Sequence, residues 1–216
     1  MVHNISKENS VFNEFLSEIR NKNVQQDRMR FRKNLERMGE VMAYELSKKL
    51  SYSPVEIETP LGSTEMSLII EQPILATILR AGLPFHNGFL NFFDKADNAF
   101  ISAYRKRKPG QNDFVVEVEY LSSPSLEGKE LIIIDPMLAT GSSMVLVYKA
   151  LMNSGIPKHI HIVCAIASKE GINHVKSHLP ADITIWVGAI DDELTANGYL
   201  VPGLGDAGDL AFGKKQ

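Results

Sequence analysis

The segment Leu131–Ser143, LIIIDPMLATGSS, constrains the fold more than any other stretch. Leu131, Ile132, Ile133 and Ile134 form an apolar run that meets an acid and then a loop, which reads as a strand buried on both faces. Such strands belong to parallel sheets covered by helices. Downstream, MVLVYKALMNSG predicts a helix stopped at Gly155 and HIHIVCAIAS predicts a strand. KEGINHVKSHLP then predicts a short helix closed by Pro180, and DITIWVGAI a further strand. Upstream, PILATILR predicts a buried strand that reaches Arg80 and turns at Ala81-Gly82 into a helix through GFLNFF. AFISAYRKRK repeats the theme, a strand running into basic residues. This alternation predicts an α/β fold with a central, mostly parallel sheet flanked by helices. Ligands of such sheets bind beyond the carboxyl ends of the strands, where Arg80, Arg105 and Asp135 are expected to gather.

The remaining segments decorate that sheet. Residues 11–50 read as helical, with Phe31, Leu35, Met38, Met42 and Leu46 on one stripe, until Ser53-Pro54 breaks the pattern. VEIETPLGSTE predicts a strand that turns at Pro60-Leu61-Gly62. FVVEVEYL alternates, and a hairpin near residues 109–123, flanked by Pro109-Gly110 and Ser123-Pro124, is expected to lean over the ligand edge. A chain of 216 residues suits a single domain, with residues 1–50 as an N-terminal helical extension and 51–216 as core and C-terminal segment.

The loop after Asp135 carries the chemistry. Successive backbone N–H groups of Ala139-Thr140-Gly141-Ser142-Ser143, the hydroxyls and a helix N-terminus together suit a phosphate. The segment lacks the Gly-Lys-Ser/Thr of a Walker loop and the three-glycine spacing of a dinucleotide fingerprint. Nucleoside triphosphate hydrolysis and hydride transfer therefore lose support. The chain has 23 basic and 26 acidic residues, a net charge of −3, so no global positive field favours nucleic acid or an anionic membrane. A phosphate-rich ligand must be held locally.

The loop resembles the phosphoribosyl pyrophosphate (PRPP) motif of type I phosphoribosyltransferases. Most of that family has two adjacent acids after the strand; here Pro136 replaces the second. DPMLATG is the form associated with the uracil phosphoribosyltransferases, although Ser142 stands where that branch more often has glycine. Serine keeps the backbone N–H. ILRAG (Ile78–Gly82), Tyr104-Arg105 and GYLVPGLGDAGD (Gly198–Asp209) match the same branch in the same order, as do MAYEL and ETPLG. The resemblance covers roughly residues 11–213.

The resemblance implies transfer of the phosphoribosyl group of PRPP to uracil, giving UMP and pyrophosphate. It assigns PRPP to Arg80, Arg105, Asp135, Pro136, Met137, Leu138, Ala139, Thr140, Gly141, Ser142, Ser143 and Asp206. It assigns uracil to Leu200, Gly205, Asp206 and Ala207, and catalysis to Asp135 and Asp206. The arginine fork suits pyrophosphate, and Asp135 can accept from ribose hydroxyls. Asp206 could contact PRPP, contact a metal-bound water or help the base lose its proton. Mg²⁺ is implied as a cofactor carried by PRPP and water, with no direct protein ligand assigned. GTP as an allosteric activator is left open, and a homodimer or larger homo-oligomer is implied.

Bland readings cover the other candidates. His174 and His178 stand four apart without a third ligand, and His159 and His161 are expected at a sheet surface. Cys164 is expected on one face with Ile160, Ile162 and Ile166, as an inert core residue. As the only cysteine it forms no intramolecular disulfide. With no signal-peptide core or membrane-length apolar run, the chain reads as cytoplasmic. A purine or orotate enzyme is disfavoured by the C-terminal segment, and an RNA-binding regulator by the charge balance.

Overall fold

The computed structural model describes residues 1–107 and 114–214, with side chains of 104–107 and 114–117 left undescribed. In chain order the elements begin with β1 (Val2–Asn4), α1 (Val11–Arg20), α2 (Arg28–Ser47), β2 (Tyr52–Thr59), β3 (Gly62–Ile69), β4 (Ile74–Leu79), α3 (Gly82–Leu90) and β5 (Asp97–Arg107). They continue with β6 (Phe114–Ser122), β7 (Glu130–Ile134), β8 (Met137–Leu138), α4 (Ser142–Leu151), β9 (His159–Ser168) and α5 (Lys169–His178). The chain closes with β10 (Thr184–Asp191), β11 (Glu193–Leu194), β12 (Leu200–Val201) and α6 (Ala207–Phe212).

The main sheet runs β1-β10-β9-β7-β4-β5-β6, with β8 also paired to β9. Every ladder in it is parallel except β5 with β6. Alternating side chains of the central strands feed two cores. Leu75, Ile132, Ile134 and Val163 face α1, α2 and α3, while Ala76, Ile133, Ile162 and Cys164 face α4 and α5. All five residues of the α2 stripe are buried. Burial on both faces explains why β7 reads as an unbroken apolar run.

Four expectations need correction. The helical stretch 11–50 is two helices, because the chain turns at 21–27 and Asp27 caps α2 by accepting the Arg30 N–H at 3.0 Å. The polar start contains β1, which joins the sheet beside β10. His161 is buried rather than superficial, its Nδ1 accepting from Trp186 Nε1 at 3.3 Å. Ile166 packs with the α1–α3 core, opposite Cys164; its N–H donates to Pro136 O as β8 joins β9. Strands β5 and β6 pair antiparallel, and residues 108–113, where part of the expected hairpin falls, lie outside the described residues.

Helices α2 and α3 approach closely at Gly39 and Gly88. A side chain at Gly88 would place its Cβ 2.1 Å from Glu36 O and 2.7 Å from the Glu40 nitrogen, both backbone atoms. Gly88→Ala is therefore expected to destabilise the fold by ~1–3 kcal/mol, read as a lower melting temperature. An unchanged melting temperature would refute the tight approach.

Candidate active site

Strand β7 delivers Asp135 to the carboxyl edge. Its N–H still donates to Val163 O at 3.1 Å, and the residue is half-buried. Pro136 is buried and Leu138 packs in the α4–α5 core, so both can meet a ligand only through backbone. Met137 is half-buried against the opposite core. Ala139, Thr140, Ser142 and Ser143 are half-exposed. Gly141 caps α4 with φ +81°, a left-handed conformation that a side chain would strain. The loop's N–H groups thus open at the start of a ten-residue helix, where an anion is favoured. Thr140 Oγ1 accepts the Ser142 N–H at 3.4 Å.

Helix α5 backs this loop. Ser168 Oγ donates to Ala139 O at 2.6 Å and accepts the Gly171 N–H at 2.7 Å. A Cβ at Gly171 would meet Ala139 O at 2.2 Å, and one at Gly141 would meet the His174 ring at 3.1 Å. Sequence reasoning did not single out Ser168 or Gly171. Their signal was a helix-capping serine in Ser168-Lys169-Glu170-Gly171.

The neighbouring strand β4 delivers Arg80. The Leu79–Arg80 peptide is cis. Arg80 Nη2 lies 3.3 Å from Asp209 Oδ1, and Nη1 donates to Gly213 O at 3.3 Å. The pair is over a third exposed on both sides, so its own worth is only ~0–1 kcal/mol. Its location matters more, because it ties the strand edge to the C-terminal segment. Asp206 caps α6, its Oδ1 accepting the Asp209 N–H at 2.9 Å. A methyl at Gly208 would lie 3.2 Å from Asp206 Oδ1 and 3.5 Å from Arg80 Nη2, so both charged groups flank that glycine. Asp209 escaped the sequence reading although it closes the GDAGD motif.

Leu200 and Ala207 bury their side chains in the α1–α3 core, leaving backbone for any ligand. Gly205 and Asp206 are exposed. With Gln25, Arg28, Asp209 and Lys214 they line a pocket of about 300 Å³. Arg32 Nη1 donates to Ala211 O at 2.7 Å, a cation at the end of α6 where helix carbonyls favour one. Arg105 is not at a strand end. Its backbone continues the β5–β6 ladder opposite Val116, and its side chain lies outside the described residues. Among the described residues, no group of three or more His, Cys, Asp or Glu could hold a metal ion. None of the described helices is long and apolar enough to cross a membrane.

The family model for uracil phosphoribosyltransferase matches residues 6–214. The chain belongs to the uracil phosphoribosyltransferase family. It is 54% identical over 214 residues to the uracil phosphoribosyltransferase of Porphyromonas gingivalis, covering 99% of each chain. It is 38% identical over 204 residues to that of Pyrococcus furiosus, covering 93% of this chain and 85% of the relative. Among solved structures, the AQ2163 protein of Aquifex aeolicus superposes with a TM-score of 0.87 at 29% identity, covering 99% of this chain and 98% of its own.

Burial shifts two neighbouring groups near this edge, Asp135 and Cys164, in the same direction. Burial pushes the Asp135 carboxyl up to about 7, while the Met137 backbone N–H opposes the shift. Burial, reinforced by Asp135, pushes the Cys164 thiol up, so it stays neutral and inert. The folded state thus favours protonated Asp135. The resulting cost to stability is absent below the unfolded value of 3.8, grows as pH rises from there to about 7, and is constant above. Asp135→Asn is expected to melt progressively above the parent as pH rises from 3.8 to about 7, with a constant difference beyond, at about 2–4 °C per kcal/mol for a chain of this size. A pH-independent difference in melting temperature would count against the shift.

Proposed function

We infer that the chain transfers the phosphoribosyl group of PRPP to uracil, releasing pyrophosphate and UMP. This is a pentosyltransferase reaction of pyrimidine salvage. One observation carries the reading beyond family membership: Arg80 ties the edge that holds the phosphate loop to the segment that resembles a base site. The phosphoribosyl donor and the acceptor base can therefore meet in one place.

In this reading the 5′-phosphate rests on the N–H groups of Ala139–Ser143, with Pro136, Met137 and Leu138 lining the approach through backbone. Asp135 accepts from the ribose hydroxyls. Arg80 and Arg105 receive the departing pyrophosphate, whose growing charge matches a guanidinium fork. Uracil lies against the backbone of Leu200, Gly205 and Ala207. Carbonyls and N–H groups there read its two oxygens and ring N–H, and would mismatch the amine of cytosine. Asp206, exposed beside Arg80, contacts PRPP where it meets the base. The donor set of single carboxylates suits a Mg²⁺ carried on PRPP and water, where it would neutralise pyrophosphate charge. GTP activation and a cytoplasmic location remain proposals of the same reading.

We propose further that the protein works as a homo-oligomer joined through β2 and β3. Among the described residues these strands pair only with each other. Their register places Val55, Ile57, Met66 and Leu68 on one face and Glu56, Glu58 and Glu65 on the other. Val55, Met66 and Leu68 are exposed. A lone hairpin is marginal in water, and an apolar face of this kind marks an interface. Met66→Glu should lower the mass seen by light scattering; a monomeric parent would refute the proposal.

The deciding assay supplies PRPP and Mg²⁺ with uracil, cytosine, orotate, hypoxanthine or adenine in separate reactions. UMP formation with uracil alone is expected. Turnover with a different base would keep the PRPP half of the reading and overturn the C-terminal half.

A further inference from the structure

The C-terminal segment reaches the edge without a regular element to hold it. Only the two-residue β12 and the six-residue α6 flank residues 202–206. Something else must fix its backbone. Asp191, at the carboxyl end of β10, is 4% exposed. Its Oδ1 accepts from Arg20 Nη2 at 2.7 Å and its Oδ2 from Arg20 Nη1 at 3.1 Å, a two-pronged pair. The same two side chains seize one residue of the segment. Gly203 N–H donates to Asp191 Oδ2 at 2.9 Å, and Gly203 O accepts from Arg20 Nη1 at 3.0 Å.

Both backbone groups of Gly203 are therefore committed. Its φ of +60° is left-handed, and a Cβ there would sit 2.1 Å from Leu200 O. Arg20 is itself anchored as the last residue of α1, whose terminal carbonyls at Ile19 and Arg20 accept from Gln25 Nε2 at 3.2 and 3.0 Å. Three separate elements, α1, β10 and the segment, thus meet at a single ion pair.

We infer that Arg20 and Asp191 are positioning residues for the base, acting through Gly203 to set the backbone that Gly205 and Ala207 present to uracil. The inference rests on the base-site reading given above. The phosphate loop is fastened by side-chain and backbone bonds of Ser168 and Gly171, and Asp191 neighbours Ser168 as its register partner, whereas the bonds of the Arg20–Asp191 pair go to Gly203. Loosening the pair therefore disturbs the base more than PRPP, which meets this segment at Asp206 and otherwise rests on the phosphate loop. The energetic logic is that a carboxylate kept from water is stable only while its partners hold, and those partners are shared with the segment.

Steady-state kinetics of Arg20→Ala and Arg20→Lys test this, with Gly205→Val as reference for the base site. Arg20→Ala should raise the KM for uracil about tenfold or more, the equivalent of one charged hydrogen bond, with a clearly smaller rise in the KM for PRPP. Lysine keeps the charge but cannot supply the fork, so Arg20→Lys should fall between parent and alanine variant. Equal rises in both KM values, or an unchanged uracil KM in Arg20→Lys, would overturn the positioning role. If Arg20→Ala does not fold, the lysine variant alone decides. An unchanged uracil KM in Gly205→Val would instead sink the base-site reading itself. A raised value there, with normal Arg20 variants, removes only the role of the pair.

Discussion

A sheet buried on both faces can offer side chains to a ligand only where its strands end. That constraint organises this molecule. Strand β4 is apolar but for the buried Thr77 and β7 is apolar after Glu130; they end at Leu79 and Ile134, and each is followed at once by a charged residue. Arg80 and Asp135 thus leave adjacent parallel strands at the same edge, Asp135 one position and Arg80 three positions beyond the register pair Thr77 and Ile134. Everything beyond the edge, the phosphate loop included, is mounted on these two exits.

The mounting is done by contacts that are individually modest. Ser168 both caps α5 and fastens Ala139, so one hydroxyl joins the helix to the loop. On the other side, Arg32 and Arg80 hold the carbonyls of Ala211 and Gly213 at the close of α6. Arginines suit this work because a rigid fork can satisfy oxygens from two segments at once. The site is accordingly assembled from both ends of the chain. Arg20 and Arg32 come from the helices that cover one face, and Asp206 and Asp209 from the segment that follows the last sheet strand.

Local pattern made much of this legible. The α2 stripe obeys helical spacing, and all five of its residues are buried. The turn at Pro60-Leu61-Gly62 follows from residue types that bend a chain, and β2 and β3 pair across it. Asp135 announced itself by ending an apolar run. The failures lie where information is not local. Three residues, Val2–Asn4, are too few to show a period, and only the edge of β10 makes them a strand. His161 alternates like a surface residue, yet Trp186 and Glu130 enclose it. Arg20 and Asp191 are 171 positions apart, and no spacing rule links them. Asp209 received no role from the sequence, and the fold brings Arg80 to it.

The placement of β1 has a consequence for how the molecule is made. Val2 pairs with Ile185, and the amino group of Met1 donates to Ile183 O across 182 positions. The first strand therefore waits for nearly the entire chain before it finds its neighbour. Loop-closure entropy of that size slows folding and lengthens the exposure of unpaired edges. During synthesis the growing polypeptide can collapse α1 and α2 early, but its sheet closes only after β10 emerges. The edge at β10 is thus the last seam of the molecule to be sewn, and the period before it is the one in which a holding chaperone would matter most.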